Sequence, residues 1–313
     1  MSMAAADPYH AIALKVISVL LFVVMASFIK AASAEVPPGQ TVFFRSLFAL
    51  PVILGWLAVR GELGTGLRTR NPMGHLWRGL IGTTAMGMSF AGLAILPLYE
   101  VKAIQYAMPL FVVVLAALVL GETVRKVRLT AVGMGMVGVL IILWPRLSAF
   151  TGGDEIEPLL AMGALIVLTG SFCAALAQVF VRKLVETEET AAIVFYFSIT
   201  ATLLSLLSAP FGWVVPSWET IAYLLGAGLV GGTGQILLTS SYRYADASII
   251  APFEYSSMLF AIVIGLVFFD EVPTGMMLFG ASIVIAAGVL IILRERYLKI
   301  QRGKARNVVT KYG

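Results

Sequence analysis

Charge is what this sequence lacks most. Only 12% of its 313 residues are Asp, Glu, Lys or Arg, while 59% are apolar. A soluble domain carries about 25% charge, so a water-covered globule is excluded. Cysteine is nearly missing: Cys173 stands alone, and no disulfide can form within the chain. The two histidines, His10 and His75, fall at the ends of apolar segments, so neither a metal centre nor a bound cofactor is expected. Catalytic motifs are also wanting. There is no P-loop lysine, no G-x-S-x-G elbow and no zinc-ligand spacing. An intramembrane enzyme would need a nucleophile, a base or a metal set, and Glu254 is the only acid well inside an apolar segment. Gly226-Ala-Gly228-Leu-Val-Gly231 does fit G-x-G-x-x-G. It lies within an apolar segment with no strand before it and no ribose-binding acid, so its glycines are read as points of close helix contact. No enzyme is expected.

What the chain has instead is apolar runs of membrane-spanning length. Ten are read, at about 11–32, 39–59, 75–96, 101–120, 128–146, 158–181, 190–213, 218–239, 247–269 and 274–293. The fold class is therefore an all-α polytopic membrane protein. Val16 to Ile29 also resembles a signal-peptide core ending at Ala32-Ser33-Ala34. No basic residue precedes Lys15, and Lys30 interrupts the run, so the segment is kept as the first span.

Lysine and arginine orient the spans. With both termini in the cytoplasm, 17 of the 22 basic residues lie in inner loops and the tail. Three (Lys30, Lys102 and Arg146) lie outside, and two (Lys15 and Arg45) fall within spans. The net charge of +5 thus follows membrane topology, and no nucleic-acid partner is expected.

The chain also repeats itself. Gly82 to Glu122 pairs without gaps with Gly231 to Glu271, 149 residues on, with seven of 41 positions identical. Gly138-Val-Leu-Ile-Ile-Leu143 recurs as Gly288-Val-Leu-Ile-Ile-Leu293. The expected units are 11–146 and 158–293, each of five spans, followed by a basic tail, 294–313. An odd number of spans per unit inserts the second upside down, giving two inverted five-helix repeats. Repeats of this kind place a binding site near the midplane between the halves.

Polar groups inside spans are the candidates for that site. Glu254 and its repeat mate Gln105 come first. Each heads a helical face, with Ser257, Met258, Ala261 and Gly265 below Glu254. A carboxylate there costs about 2.5–3.5 kcal/mol unless water or a partner receives it, which makes Glu254 a candidate for proton coupling as well. Its bland alternative is an interfacial anchor. Arg45, in Phe43-Phe44-Arg45-Ser46, suits a substrate carboxylate or phosphate, or else snorkels to the interface. Gln178, Gln235 and Thr239 suit either substrate or interhelical hydrogen bonds. Tyr106, Tyr196, Tyr255 and Phe90 are candidates for stacking on a flat substrate, against the commoner role of interface aromatics. Gly133, Gly135 and Gly138 give span five a small-residue face, open to packing within its half or to a homodimer.

In this order, Phe43-Phe44-Arg45, Pro109-Leu-Phe, Gly121-Glu122 and Gly138-Val-Leu-Ile-Ile resemble the EamA-type branch of the drug/metabolite transporter superfamily. The resemblance covers about residues 11–293. It implies ten helices in two inverted halves, with a central cavity lined by spans one to four and six to nine. It implies carriage of a small organic metabolite, in bacteria usually across the inner membrane. Amino-acid export is the first expectation, and uptake of a heteroaromatic compound such as adenosylmethionine or riboflavin the second. The contrasting class is a membrane scaffold without transport. Asp270 stands where the first half has Gly121, and Met258 where it has Pro109, so the halves need not act alike. Small multidrug relatives carry a glutamate in their first span. Span one here has Lys15 and no acid, so that proton mechanism does not carry over.

Overall fold

The computed structural model describes residues 8–120, 126–147, 156–184, 187–244, 251–290 and 293. Among them all regular structure is helical. The helices are α1 (Pro8–Ala32), α2 (Pro38–Val59), α3 (Pro72–Ile95), α4 (Leu98–Gln105), α5 (Ala107–Leu120) and α6 (Lys126–Leu147). They continue as α7 (Ile156–Leu184), α8 (Thr190–Ser205), α9 (Trp218–Tyr244), a 3-10 turn at Ala251–Tyr255, α10 (Ser256–Phe269) and α11 (Gly275–Leu290). Five segments are long and apolar enough to cross a membrane: Tyr9–Ala32, Pro38–Val59, Pro158–Val181, Ala191–Ser208 and Trp218–Leu238. Thr130–Pro145, Phe253–Phe269 and Gly275–Leu290 are shorter apolar helices. Leu118, Trp144, Leu259, Val267 and Phe268 project outward uncovered, as lipid-facing side chains do.

Local chemistry sets the helix ends. Pro38 and Pro72 occupy first-turn positions, where a missing N–H costs nothing. Asn71 caps α3 by accepting from Gly74 N–H at 2.8 Å. The expected fourth span is broken between Gln105 and Ala107. Pro109 explains this, since its ring conflicts with the carbonyl four residues back, that of Gln105. The ninth span breaks at the mate position: Ala251–Tyr255 is a 3-10 turn and α10 starts only at Ser256, whose hydroxyl donates to Phe253 O at 2.6 Å. The seventh span ends earlier than the expected residue 213. After Ser205 it tightens to a 3-10 turn at Leu206–Ser208, and Pro210 and Gly212 (φ 86°) turn the chain away.

Packing is reciprocal. α1 lies along α9 and α3 along α7; α2 packs on α9 and on α8; α3 packs on α8, and α5 on α7. The glycines of α9 permit its close approach. A Cβ on Gly228 would sit 2.3 Å from Phe48 Cβ, and one on Gly232 would sit 3.1 Å from Val52 Cβ. The nucleotide-like run is therefore a helix-contact surface. The glycine face of α6 meets α11. A Cβ on Gly138 would lie 2.8 Å from Gly280 O. One on Gly135 would press Leu110 and Ala287, while Gly133 faces open space.

Candidate functional site

α2 buries Val42, Arg45, Ser46, Ala49, Ile53 and Leu57 along one helical stripe. Arg45 is therefore carried inward, and only 7% of it is exposed. Its Nε has no hydrogen-bond acceptor. Gly231 of α9 faces it: a Cβ there would stand 3.4 Å from Arg45 Nε and Nη2. The guanidinium borders a cavity of about 20 Å³ with Ala49, Ile53, Ser198, Gln235 and Arg78. Arg78 comes from the first turns of α3. Its guanidinium lies over the Phe197 ring, 3.7 Å from the centroid, and its Nε and Nη1 are buried without an acceptor. A Cβ on Gly82, the repeat mate of Gly231, would stand 2.4 Å from Arg78 Nη1. Mate glycines thus make room for one arginine each. Among the described residues no acid lines this cavity.

Arg78 also opens onto a second cavity of about 260 Å³ between α3, α5, α7 and α8. Its walls include Met86, Ser89, Met108, Ala174, Gln178 and Phe197. They combine apolar surface, an aromatic face and a few polar groups, as small-molecule sites do. Gln105 reaches the edge of this wall, donating from Nε2 to Ser89 Oγ at 3.2 Å and accepting from Lys102 Nζ at 3.3 Å.

The repeat mates Tyr106 and Tyr255 touch each other, with ring centroids 5.1 Å apart at 72°. Tyr106 shares a hydrogen bond of 2.6 Å with Ser257 Oγ and donates to Tyr255 O at 3.2 Å. These bonds hold the two helix breaks against each other. A Cβ on Gly288 would fall 1.4 Å from the Tyr255 hydroxyl, which explains a glycine in that repeated run.

Glu254 lies in the 3-10 turn before α10 and forms an ion pair with Lys15 of α1. The lysine is buried and the carboxylate half-exposed. Glu254 is therefore not the unpartnered carboxylate that the sequence suggests. Nor is the face below it a water-filled channel: Ser257, Met258, Ala261 and Gly265 are all buried. At the other end of α1, Lys30 meets Glu271 Oε1 at 3.0 Å. Glu271 Oε2 also accepts from Leu98 N–H at 2.7 Å, and Lys30 donates to Leu96 O at 2.8 Å. Asp270 makes this geometry. Its left-handed φ of 54° turns the chain back, so that Glu271 N–H reaches Gly265 O at 3.0 Å. Aspartate tolerates that conformation where the first half has a glycine.

Of the residues singled out by sequence, Arg45 and Gln235 share the small cavity and Gln178 lines the large one. Gln105 stands at the large cavity's edge. Glu254 lines neither. Phe90 is buried in the apolar core, and Tyr196 donates to Leu67 O at 3.0 Å while packing on His75; neither lines the two cavities. The Thr239 side chain and Glu122 lie outside the described residues. Arg78 was missed because a basic residue near a span end reads as a loop charge. Its position on one stripe with Gly79, Gly82 and Ala85 was the available signal.

Two segments, residues 10–144 and 161–294, each match the EamA-like transporter family model. The chain belongs to the EamA-like transporter family. It is 30% identical to the pseudopaline exporter CntI of Pseudomonas aeruginosa, over 88% of this chain and 93% of that one. It is 27% identical to the S-adenosylmethionine uptake transporter of Rickettsia prowazekii, over 82% and 83%. It is 29% identical to the riboflavin transporter of Rhizobium johnstonii, over 83% and 82%. A crystal structure of a protein 20% identical in sequence superposes with a TM-score of 0.64, covering 92% of this chain and 98% of that chain, a likeness of fold. Family membership and the apolar helices make this a multi-pass membrane protein among metabolite transporters.

Proposed function

We propose that the protein is a secondary carrier that moves a small organic metabolite across the inner membrane by alternating access. Ten spans form two inverted five-helix halves, residues 11–146 and 158–293, with both termini and the tail 294–313 in the cytoplasm. The reciprocal packing is the observation that carries it. Exchanging the halves maps α1 on α9 onto α7 on α3, and α2 on α9 onto α8 on α3. Contact between the mates Tyr106 and Tyr255 fits a two-fold axis running between them. The double family match supports the same division.

Loop bonds support the topology independently of the basic residues. Glu35 bonds Ser217, and Gln40 bonds Val214, which the ten-span alternation puts outside together. Glu188 bonds Arg70 and Asn71 N–H, which it puts inside together. Two similar halves of opposite orientation can exchange conformations, exposing the cavity to one side and then the other. Arg45, Arg78, Gln178 and Gln235 are the groups placed to hold substrate. Glu254 and Lys15, paired at the inner end, are the groups placed to respond to protons.

Amino acids and related compounds fit the size of the cavity. A second reading, uptake of a larger heteroaromatic metabolite, draws on Phe197 in the cavity wall and on the two relatives named for adenosylmethionine and riboflavin. The test is reconstitution into liposomes with labelled amino acids, adenosylmethionine and riboflavin. Saturable flux of at least one is expected. Specific binding without flux would leave a scaffold or receptor instead. Reporter fusions at residues 64 and 212 should mark opposite sides of the membrane; the same side at both would overturn the topology.

A further inference from the structure

We propose that Arg45 and Arg78 together form an oxyanion site that binds a carboxylate of the transported compound. The site deepens the carrier reading above and rests on it for its role, though not for its existence.

Four features point to a ligand. Arg45 is more than nine-tenths buried, and its Nε is unpaired. Arg78 has two buried unpaired nitrogens, Nε and Nη1. Guanidinium groups stay charged at any working pH, so two like charges share one cavity wall. Among the described residues no acid lines that cavity. Buried cations are ordinarily paired, as Lys15 and Lys30 are in this same protein. Lys102, which forms no ion pair among the described residues, still donates to the Gln105 amide; the two arginines have nitrogens with no acceptor at all, and a ligand's negative charge would supply what the chain does not. Phe197 covers one face of the Arg78 guanidinium and leaves its edge nitrogens for an in-plane acceptor.

The dimensions select a carboxylate. The small cavity, about 20 Å³, is of the order of one water site, roughly 10–15 Å³. A planar two-oxygen head fits such a slot better than a tetrahedral phosphate. Arg78 borders both cavities, so an acid group lodged by Arg45 would leave the rest of the molecule in the 260 Å³ space beside Gln178 and Phe197. Ser198 and Gln235 border the slot and can donate further hydrogen bonds. The expected ligand is a compact organic acid or amino acid with an apolar or aromatic body.

The test uses the full-length protein in detergent at constant ionic strength and reads the thermal unfolding midpoint. The probes are glutamate, phenylalanine and succinate, with succinamide, phenylalaninamide, inorganic phosphate and sulfate as comparison arms. At least one carboxylate should raise the midpoint saturably while its amide does not. Arg45→Gln and Arg78→Gln should each weaken half-saturation by about tenfold or more, as losing one partner of a buried charge pair does. Arg45→Lys should keep part of the effect. Both glutamine variants remove an unpaired buried charge, so they should fold at least as well as the parent without ligand. The proposal falls if no carboxylate acts saturably, if amides act equally, if only phosphate or sulfate acts, or if the glutamine variants respond like the parent. Binding here without flux in liposomes would overturn the carrier reading and leave the anion site standing. Flux that is indifferent to both arginines would do the reverse.

Discussion

At one end of α1, Lys30 holds Glu271 at 3.0 Å, with both side chains largely buried. The same pair engages the carbonyl that ends α3 and the N–H that begins α4. At the other end, Lys15 holds Glu254, whose carboxylate is 49% exposed and sits on a 3-10 turn rather than on a helix. Each contact clamps α1 to the segment around α10, yet they differ in kind. The Lys30 end ties α1, α3, α4 and the end of α10 through several bonds, each made at a helix terminus. The Lys15 end is a single contact, open to solvent on one side. Separating the first end exposes several desolvated groups together, while separating the second strands one buried ammonium beside a carboxylate that solvent already reaches. If the halves move as proposed, that asymmetry would make the Glu271 end the latch and the Glu254 end the readier gate.

The sharpest way to break the comparison is to remove one lysine at a time. Lys30→Met strands a mostly buried carboxylate, and losing one partner of a buried pair costs about 3–5 kcal/mol. Lys15→Met removes the buried charge and leaves a carboxylate that solvent already reaches, so its cost should approach the roughly 0–1 kcal/mol typical of exposed charges. Urea or thermal unfolding in one detergent should therefore separate the two variants clearly. Equal losses would show that the two ends are equivalent.

Gly288→Ala acts on the gate without touching a charge. Its new Cβ would fall 1.4 Å from the Tyr255 hydroxyl, so the ring beside Glu254 must move. Overpacking of this kind costs about 1–3 kcal/mol. Gly133→Ala, which meets nothing within 4 Å, is the matched control. If both variants unfold like the parent, Tyr255 does not depend on the space that Gly288 leaves.

These two ends also show how much the sequence could tell. The apolar runs and the glycine-rich contact surface of α9 follow from composition and period, because each depends on residues close along the chain, whereas the same pattern leaves Arg45 open between burial and snorkelling. The break at Tyr106 was legible in principle, since Pro109 forces it. The Lys15–Glu254 pair spans 239 residues and Lys30–Glu271 slightly more. No local pattern announces a partner that far away. Hence Glu254 reads from sequence as an isolated acid and Lys15 as a lone base, though each satisfies the other. Arg78 misled for a related reason. Its place near a helix start matches the positive-inside pattern, and only the facing residues of α8 and α9 reveal that it turns inward.

Glu254→Gln should have a smaller effect on stability than on transport. The amide oxygen can still accept from the buried Lys15 ammonium, which offsets part of the lost counter-charge, so the unfolding midpoint should fall only modestly. The transport rate should fall, or its pH dependence should flatten if protons couple. Unchanged rate, affinity and pH profile together would reduce Glu254 to an anchor. Gln105→Ala, in the mate position, should instead weaken apparent substrate affinity, through Ser89 in the cavity wall.

The smallest expected effect lies outside the spans, where each side of the protein has a carboxylate staple. Hydrogen bonds from Thr220 and from the Ser217 hydroxyl and N–H hold Glu35 below its ordinary carboxylate range. For Glu188, burial pushes upward, but bonds from Arg70 N–H, His75, Thr69 and Asn71 N–H outweigh it, and the group is likewise lowered. A lowered acid contributes stability that is complete above the unfolded-state value and is lost as pH falls through the folded-state value. Acidification should therefore loosen both staples, and neither should respond between neutral and mildly basic pH. Unfolding midpoints taken from pH 7 down to the carboxylate range should fall for the parent, with a shallower slope for Glu35→Gln and for Glu188→Gln. The solvent-exposed Glu35 should account for less of the slope than Glu188, whose carboxylate is closed in by two backbone N–H groups and His75. A larger change from Glu35→Gln would mean that the loops around Glu35, rather than those around Glu188, set the acid limit of the fold. The asymmetry between the two ends of α1 would then extend to the loops that flank them.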